Sequence, residues 1–177
     1  MSIQTDNTTS AGITIDYSHH EVHEGSAYWS YHTVSLGNGE VITMGYVTPD
    51  TYRWSHLLFR VDLTSGGVLD ILEDVTSFDQ GDAFSVFNFH RNSTKTSGCT
   101  VTTGATGATL ITPTGGSEIW NESLGTRGQQ TTRDNASELV MKQNSKYLFR
   151  FTNDANACVA TILLTWYEHT NTVPGQF

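Results

Sequence analysis

The run His19-His20-Glu21-Val22-His23-Glu24 is the densest set of metal-capable side chains in the sequence. It is not the His-Glu-x-x-His pattern of zinc proteases, because Glu24, not a histidine, stands at the fourth position after His20. On a helix His19 and His23 share a face; on a strand His19, Glu21 and His23 do. Zinc requires several converging ligands with supporting groups behind them, so the run reads as a polar lead-in to the first strand and no metal is assigned to it. Asp74, Asp79 and Asp82 beside Gly81 offer the oxygen ligands calcium prefers, but not at the spacing of an EF-hand loop, and they read as turn residues. Cys99 with a distant histidine makes a formal thiol–base pair without a family signature around it. No Gly-x-Ser-x-Gly elbow and no phosphate-binding glycine loop appears. The sequence therefore names no catalytic residue and no cofactor, and the chain is expected not to be an enzyme. Trp29, Trp54, Trp120 and Trp166 could stack on sugars. Trp54 and Trp166 lie in strong strand patterns, which leaves Trp120, in a less regular segment, as the exposed aromatic candidate.

The elements that would carry these groups repeat with a period of two. Residues 54–63 place Leu57, Phe59, Val61 and Leu63 on one face and His56, Leu58, Arg60 and Asp62 on the other, a half-buried strand. Residues 41–48 form another, entered through a tight Asn38-Gly39 turn. Further strands are expected at 68–73, 83–89, 139–142, 147–151 and 158–168, the last a central one with apolar groups on both faces. The polar segments 91–108 and 127–137 read as long loops. No stretch shows a helical period with caps. Short strands separated by turn signals predict an all-β protein, an antiparallel β-sandwich of jelly-roll-like form.

Three regions follow: an extended N-terminal arm (1–20), the sandwich (21–170) and a C-terminal tail (171–177). Within the arm, Ile13, Ile15 and Tyr17 would point one way if the segment added as a strand to a neighbouring sheet. The alternative is a loosely docked terminus. With Trp120, these three residues make up the candidate partner interface.

Composition bounds the function. The 177 residues suit one domain, with 37% hydrophobic residues, 16 Gly and 3 Pro. Nine basic against 18 acidic side chains leave a formal charge of −9, the wrong sign for a nucleic-acid surface. No stretch approaches the ~18 apolar residues of a membrane span, and the polar start shows no pattern of a signal peptide. Cys99 and Cys158 lie far apart and are expected to be reduced in a cytosolic chain, a disulfide remaining the alternative.

The order of several short motifs adds a resemblance. His23-Glu24-Gly25 is followed by Thr48-Pro49-Asp50, His56-Leu57-Leu58-Phe59 and His90-Arg91-Asn92-Ser93. Arg133-Asp134, the run from Leu139 to Tyr147, Arg150 and Trp166-Tyr167-Glu168-His169 complete the set. Over residues 22–169 the chain resembles small structural proteins of tailed bacteriophages, the capsid decoration and head-associated proteins. That resemblance implies a virion protein, made in the host cytoplasm, that binds the outer surface of the head and stabilises the shell. Its partners would be the major capsid protein and copies of itself, a trimer being the expected form, with neither nucleic acid nor membrane. A carbohydrate-binding or adhesion module of a phage fibre and a neck or tail accessory protein are the alternatives.

Overall fold

The computed structural model describes residues 4–5, 12–13, 17–51, 53–107, 109–125, 131–134 and 138–170. In chain order they form β1 (Gln4–Thr5), β2 (Gly12–Ile13), α1 (Tyr17–Glu24), β3 (Ala27–Gly37), β4 (Val41–Val47), β5 (Arg53–Leu63) and β6 (Gly67–Glu73). Then come β7 (Ser77–Asp79), β8 (Asp82–Phe84), β9 (Phe87–Asn88), β10 (Thr100–Ala105), β11 (Thr112–Thr114) and β12 (Ser117–Leu124). The last are β13 (Thr131–Asp134), β14 (Leu139–Met141), β15 (Lys146–Asn153) and β16 (Ala157–Thr170).

Alternation does the folding, as β5 shows. Leu57, Phe59, Val61 and Leu63 are buried while Leu58 and Arg60 are exposed, so one face of the strand leaves water. Two antiparallel sheets meet on such faces. One runs β13-β5-β16-β3-β9, with β14 also on β5; the other runs β12-β6-β15-β4-β10-β8. The core between them joins Tyr28, Phe59, Ile162, Leu164 and Trp166 of the first sheet to Met44, Tyr46, Phe149 and Phe151 of the second. The chain is thus an all-β sandwich.

A third layer covers the second sheet from outside. β7 and β11 pair as a two-stranded flap, and Leu148, Val75 and Ile111 are buried beneath it with Phe78 packed alongside. Gly45 of β4 makes room for this flap: a Cβ there would come within 2.7 Å of the Phe78 ring and closer still to the Thr102 hydroxyl.

Several expected elements differ. Residues 83–89 are not one strand: β8 pairs with β10 in one sheet and β9 with β3 in the other. Between them the chain crosses from sheet to sheet, and the Ser30 hydroxyl bonds the Ser85 carbonyl at the crossing (3.0 Å). The segment 91–108 holds β10, paired over its full length with β4. The segment 127–137 holds β13, paired with β5.

The arm departs most. Ile13 sits in β2, opposite Gln4 of β1; Ile15 and the tail 171–177 lie outside the described residues; Tyr17 begins α1. Tyr17, expected on the same strand as Ile13, thus belongs to a helix. Gly25 ends α1 in a left-handed conformation (φ 72°). Its N–H bonds the Val22 carbonyl at 3.1 Å and that of Ser26 reaches Glu21 at 2.8 Å, the paired bonds of a Schellman cap.

Candidate functional site

The outward face of the first sheet is built in rungs fixed by strand register. Trp29 of β3 stands opposite Thr165 of β16, which stands opposite Leu58 of β5. Tyr31, Leu163 and Arg60 form the next rung; on the other side, Tyr167 and His56 continue to Val140 of β14. An aromatic row crosses these rungs. Trp29 stacks on Tyr31 (centroids 5.6 Å, planes 19° apart) and lies 4.8 Å from Phe87 and 6.4 Å from Phe89. The Arg91 guanidinium sits 5.9 Å over Phe87.

At one end α1 lies against this face, its Ser18, His19 and Val22 enclosing a cleft of about 650 Å³ with His56, Leu58, Phe89, Glu138 and Tyr167. The polar groups of the cleft bond one another. Glu138 Oε1 accepts from the Tyr167 hydroxyl at 2.6 Å and pairs with His56 Nδ1, while His56 Nε2 meets His169 Nε2 at 2.7 Å. The His56 ring also stacks on Tyr167 at 4.7 Å. Both ring nitrogens of His56 are therefore engaged by neighbouring side chains. The carboxylate–imidazole–imidazole line positions the end of β16 against β5 and β14.

The other candidates disperse. Cys99 is buried, and burial followed by the nearby Glu168 charge pushes its thiol up to about 12. It stays protonated at neutral pH, which removes it as a nucleophile. Cys99 and Cys158 are both free and buried in the core. His19 and His23 do share a helix face, with their Nε2 atoms 2.8 Å apart. Among the described residues, no three of the His, Cys, Asp and Glu side chains are placed to hold a metal ion. Asp74 is spent on Lys142 Nζ (2.6 Å) and the Ser145 hydroxyl (2.7 Å), which hold its carboxyl below the ordinary range. Asp82 accepts the Thr109 hydroxyl at 2.6 Å, and Asp79 lies in the flap strand β7.

Trp120 is not the exposed aromatic. A register shift between Glu118 and Trp120 in β12 leaves its indole half-buried, edge-on to Phe59 at 5.6 Å and packed against the core, with Nε1 donating to Glu122 at 3.1 Å. The exposed row, Tyr31 and Phe89 beside Trp29, was hidden in the sequence. β3 carries aromatics on both faces, so its phase is ambiguous until its partners are known.

Two histidines make the body sensitive to acid. Burial lowers the pKa of His32; burial and then the His56 ring lower that of His169, against weaker opposing pulls from Glu21 and Glu138. A lowered histidine binds fewer protons folded than unfolded, so stability rises with pH through this window. Urea midpoints should hold near neutrality, then fall as the pH drops through the unfolded histidine value of about 6.5. A midpoint unchanged between about pH 7 and pH 5 would show both rings to be as solvated as in the unfolded chain. The Asp74 contribution has the same sign but a lower window: it is present above 3.8 and is lost only in stronger acid.

Among the described residues, no helix is long and apolar enough to cross a membrane. No family model matches the chain, no curated protein matches its sequence and no solved structure matches its fold.

Proposed function

We propose that this chain is a non-catalytic structural protein of a tailed-phage virion, made in the host cytoplasm, that decorates the outer surface of the head and binds the major capsid protein. The observation that carries this reading is an aromatic, low-charge sheet face on a tightly packed body whose reactive groups bond one another instead of opening to a substrate. The motif order from His23 to His169 supports it. So does the winding, in which β3, β4, β5 and β6 alternate between the sheets and β15 and β16 return to fill their centres. We read this as a jelly roll, an architecture shared by viral shells and lectins; as an analogy of fold it favours both and selects neither. The charge of −9 suits the outside of a container filled with DNA. Many weak contacts repeated over a shell would retain such a protein through effective concentration, and closed homo-oligomers such as the trimer would multiply them.

Purified protein mixed with undecorated heads should bind to saturation at a fixed ratio to the shell protein; binding that never saturates, or none, discards the reading. The row Trp29, Tyr31 and Phe87 favours one other function, a sugar-stacking surface on a fibre. A glycan array separates the two, since a decoration protein should ignore sugars while a lectin should bind and lose that binding on Trp29→Ala.

A further inference from the structure

We infer that the outward face of β3, β16 and β5 is the surface through which copies of this chain bind one another. The two sheets are treated differently by the fold. The chain covers the outer face of the second sheet itself, with the β7–β11 flap over Leu148. Among the described residues α1 covers one end of the first sheet's outer face, but no flap covers the rest, which carries Tyr31 (42% exposed), Leu58 (38%), Phe89, Val140 and Val159 as exposed large apolar side chains. Among the described residues Ile119, at 43%, is the exposed large apolar residue found away from it.

Charge selects the occupant. On the outward rows of β3, β5 and β16, Arg60 and Asp62 are the sole Lys, Arg, Asp or Glu side chains, and they pair with each other at 2.9 Å. At the cleft end Glu138 is likewise met by His56 and Tyr167, and at the β9 edge the Arg91 guanidinium lies over the Phe87 ring. The excess of 18 acidic over 9 basic residues therefore lies elsewhere. A basic partner would be drawn to those other surfaces, whereas a second copy, equally acidic, meets least repulsion here. The surface it meets is as neutral and apolar as its own.

Size agrees. β3 and β5 are 11 residues long, roughly 36 Å at about 3.3 Å per residue, and three full strands with their short flanks are roughly 17–24 Å wide. That is at most on the order of 600–850 Å² per copy, since α1 already occupies one end, against about 800 Å² per partner in a standard stable interface. Thr33 and Thr161, whose hydroxyls bond each other at 2.8 Å, mark where the aromatic part of the face gives way to a polar rim.

The inference deepens the decoration reading by saying how copies associate, face to face and so in pairs instead of the expected trimer, and its test needs no heads, so the two can fail separately. Sedimentation velocity of the full chain from about 1 to 100 μM should show an oligomer. Leu58→Glu and Tyr31→Glu should weaken it by at least about tenfold, with strand signal and melting retained, since both side chains are already partly in water. Ile119→Glu, equally exposed but on the other sheet, should leave it unchanged. A wild-type chain that stays monomeric overturns the inference, as does an oligomer that Leu58→Glu and Ile119→Glu affect alike. It falls too if Leu58→Glu abolishes attachment to heads while the free chain is monomeric, since the face would then belong to the shell protein.

Discussion

Replacing Glu168 with alanine is expected to cost about 3–5 kcal/mol of unfolding free energy, because it removes the acceptor on which a whole loop is hung. The residue is 4% exposed near the end of β16. Its carboxylate takes the Ser97 hydroxyl at 2.5 Å, the Gly98 N–H at 2.9 and 3.1 Å, and the Trp166 indole N–H at 3.1 Å. Arg53 stands 3.6 Å away, but its side chain is half in solvent, so the ion pair itself is worth less than the hydrogen bonds. Without the carboxylate, the Gly98 amide loses its acceptor and the Trp166 indole keeps only its 3.3 Å bond to the Ser97 hydroxyl. Glu168→Gln should recover part of the loss, since its amide oxygen still accepts while its NH₂ faces other donors. Guanidinium unfolding with an unchanged m-value checks this; a loss below about 1 kcal/mol would mean that water serves these donors as well as the carboxylate does.

Phe59→Ala should cost about 3–5 kcal/mol as well, through the cavity it opens between the sheets. The ring is buried and bridges the layers, tilted against Phe149 at 5.7 Å and edge-on to Trp120 at 5.6 Å. Its neighbour Leu58, facing outward, should tolerate alanine within about 0.5 kcal/mol. The contrast between adjacent positions is the sharper measurement. A larger loss at Leu58 than at Phe59 would mean that the strand presents the opposite face to the core.

That phase could be read from the sequence because β5 and β16 separate apolar from polar side chains cleanly on at least one side. β4, β6 and β15 were legible for the same reason, with boundaries close to those observed. What escaped were elements whose side chains say little. β10 (Thr-Val-Thr-Thr-Gly-Ala) is made of small residues because neighbouring chain presses close on it: a Cβ on Gly104 would strike the Thr109 carbonyl. α1 has a single aliphatic side chain, Val22, so it lacks a hydrophobic stripe; its legible signal was Gly25 at the cap. The candidate face was harder still. That His56 and Glu138 meet, 82 residues apart, depends on β14 pairing with β5, which local alternation does not encode.

The strands at the centre of both sheets come late in the chain. β15 lies between β4 and β6, and β16 between β3 and β5, with pairing along nearly its whole length. While the ribosome is still short of residue 146, the four earlier strands each lack the neighbour that will close their inner edge. Such unpaired apolar edges invite association with other nascent chains. Folding must then wait for synthesis to pass residue 170 and proceed through distant pairings, which are slow to form. Ribosomes stalled just upstream should therefore yield insoluble product, not a smaller working domain.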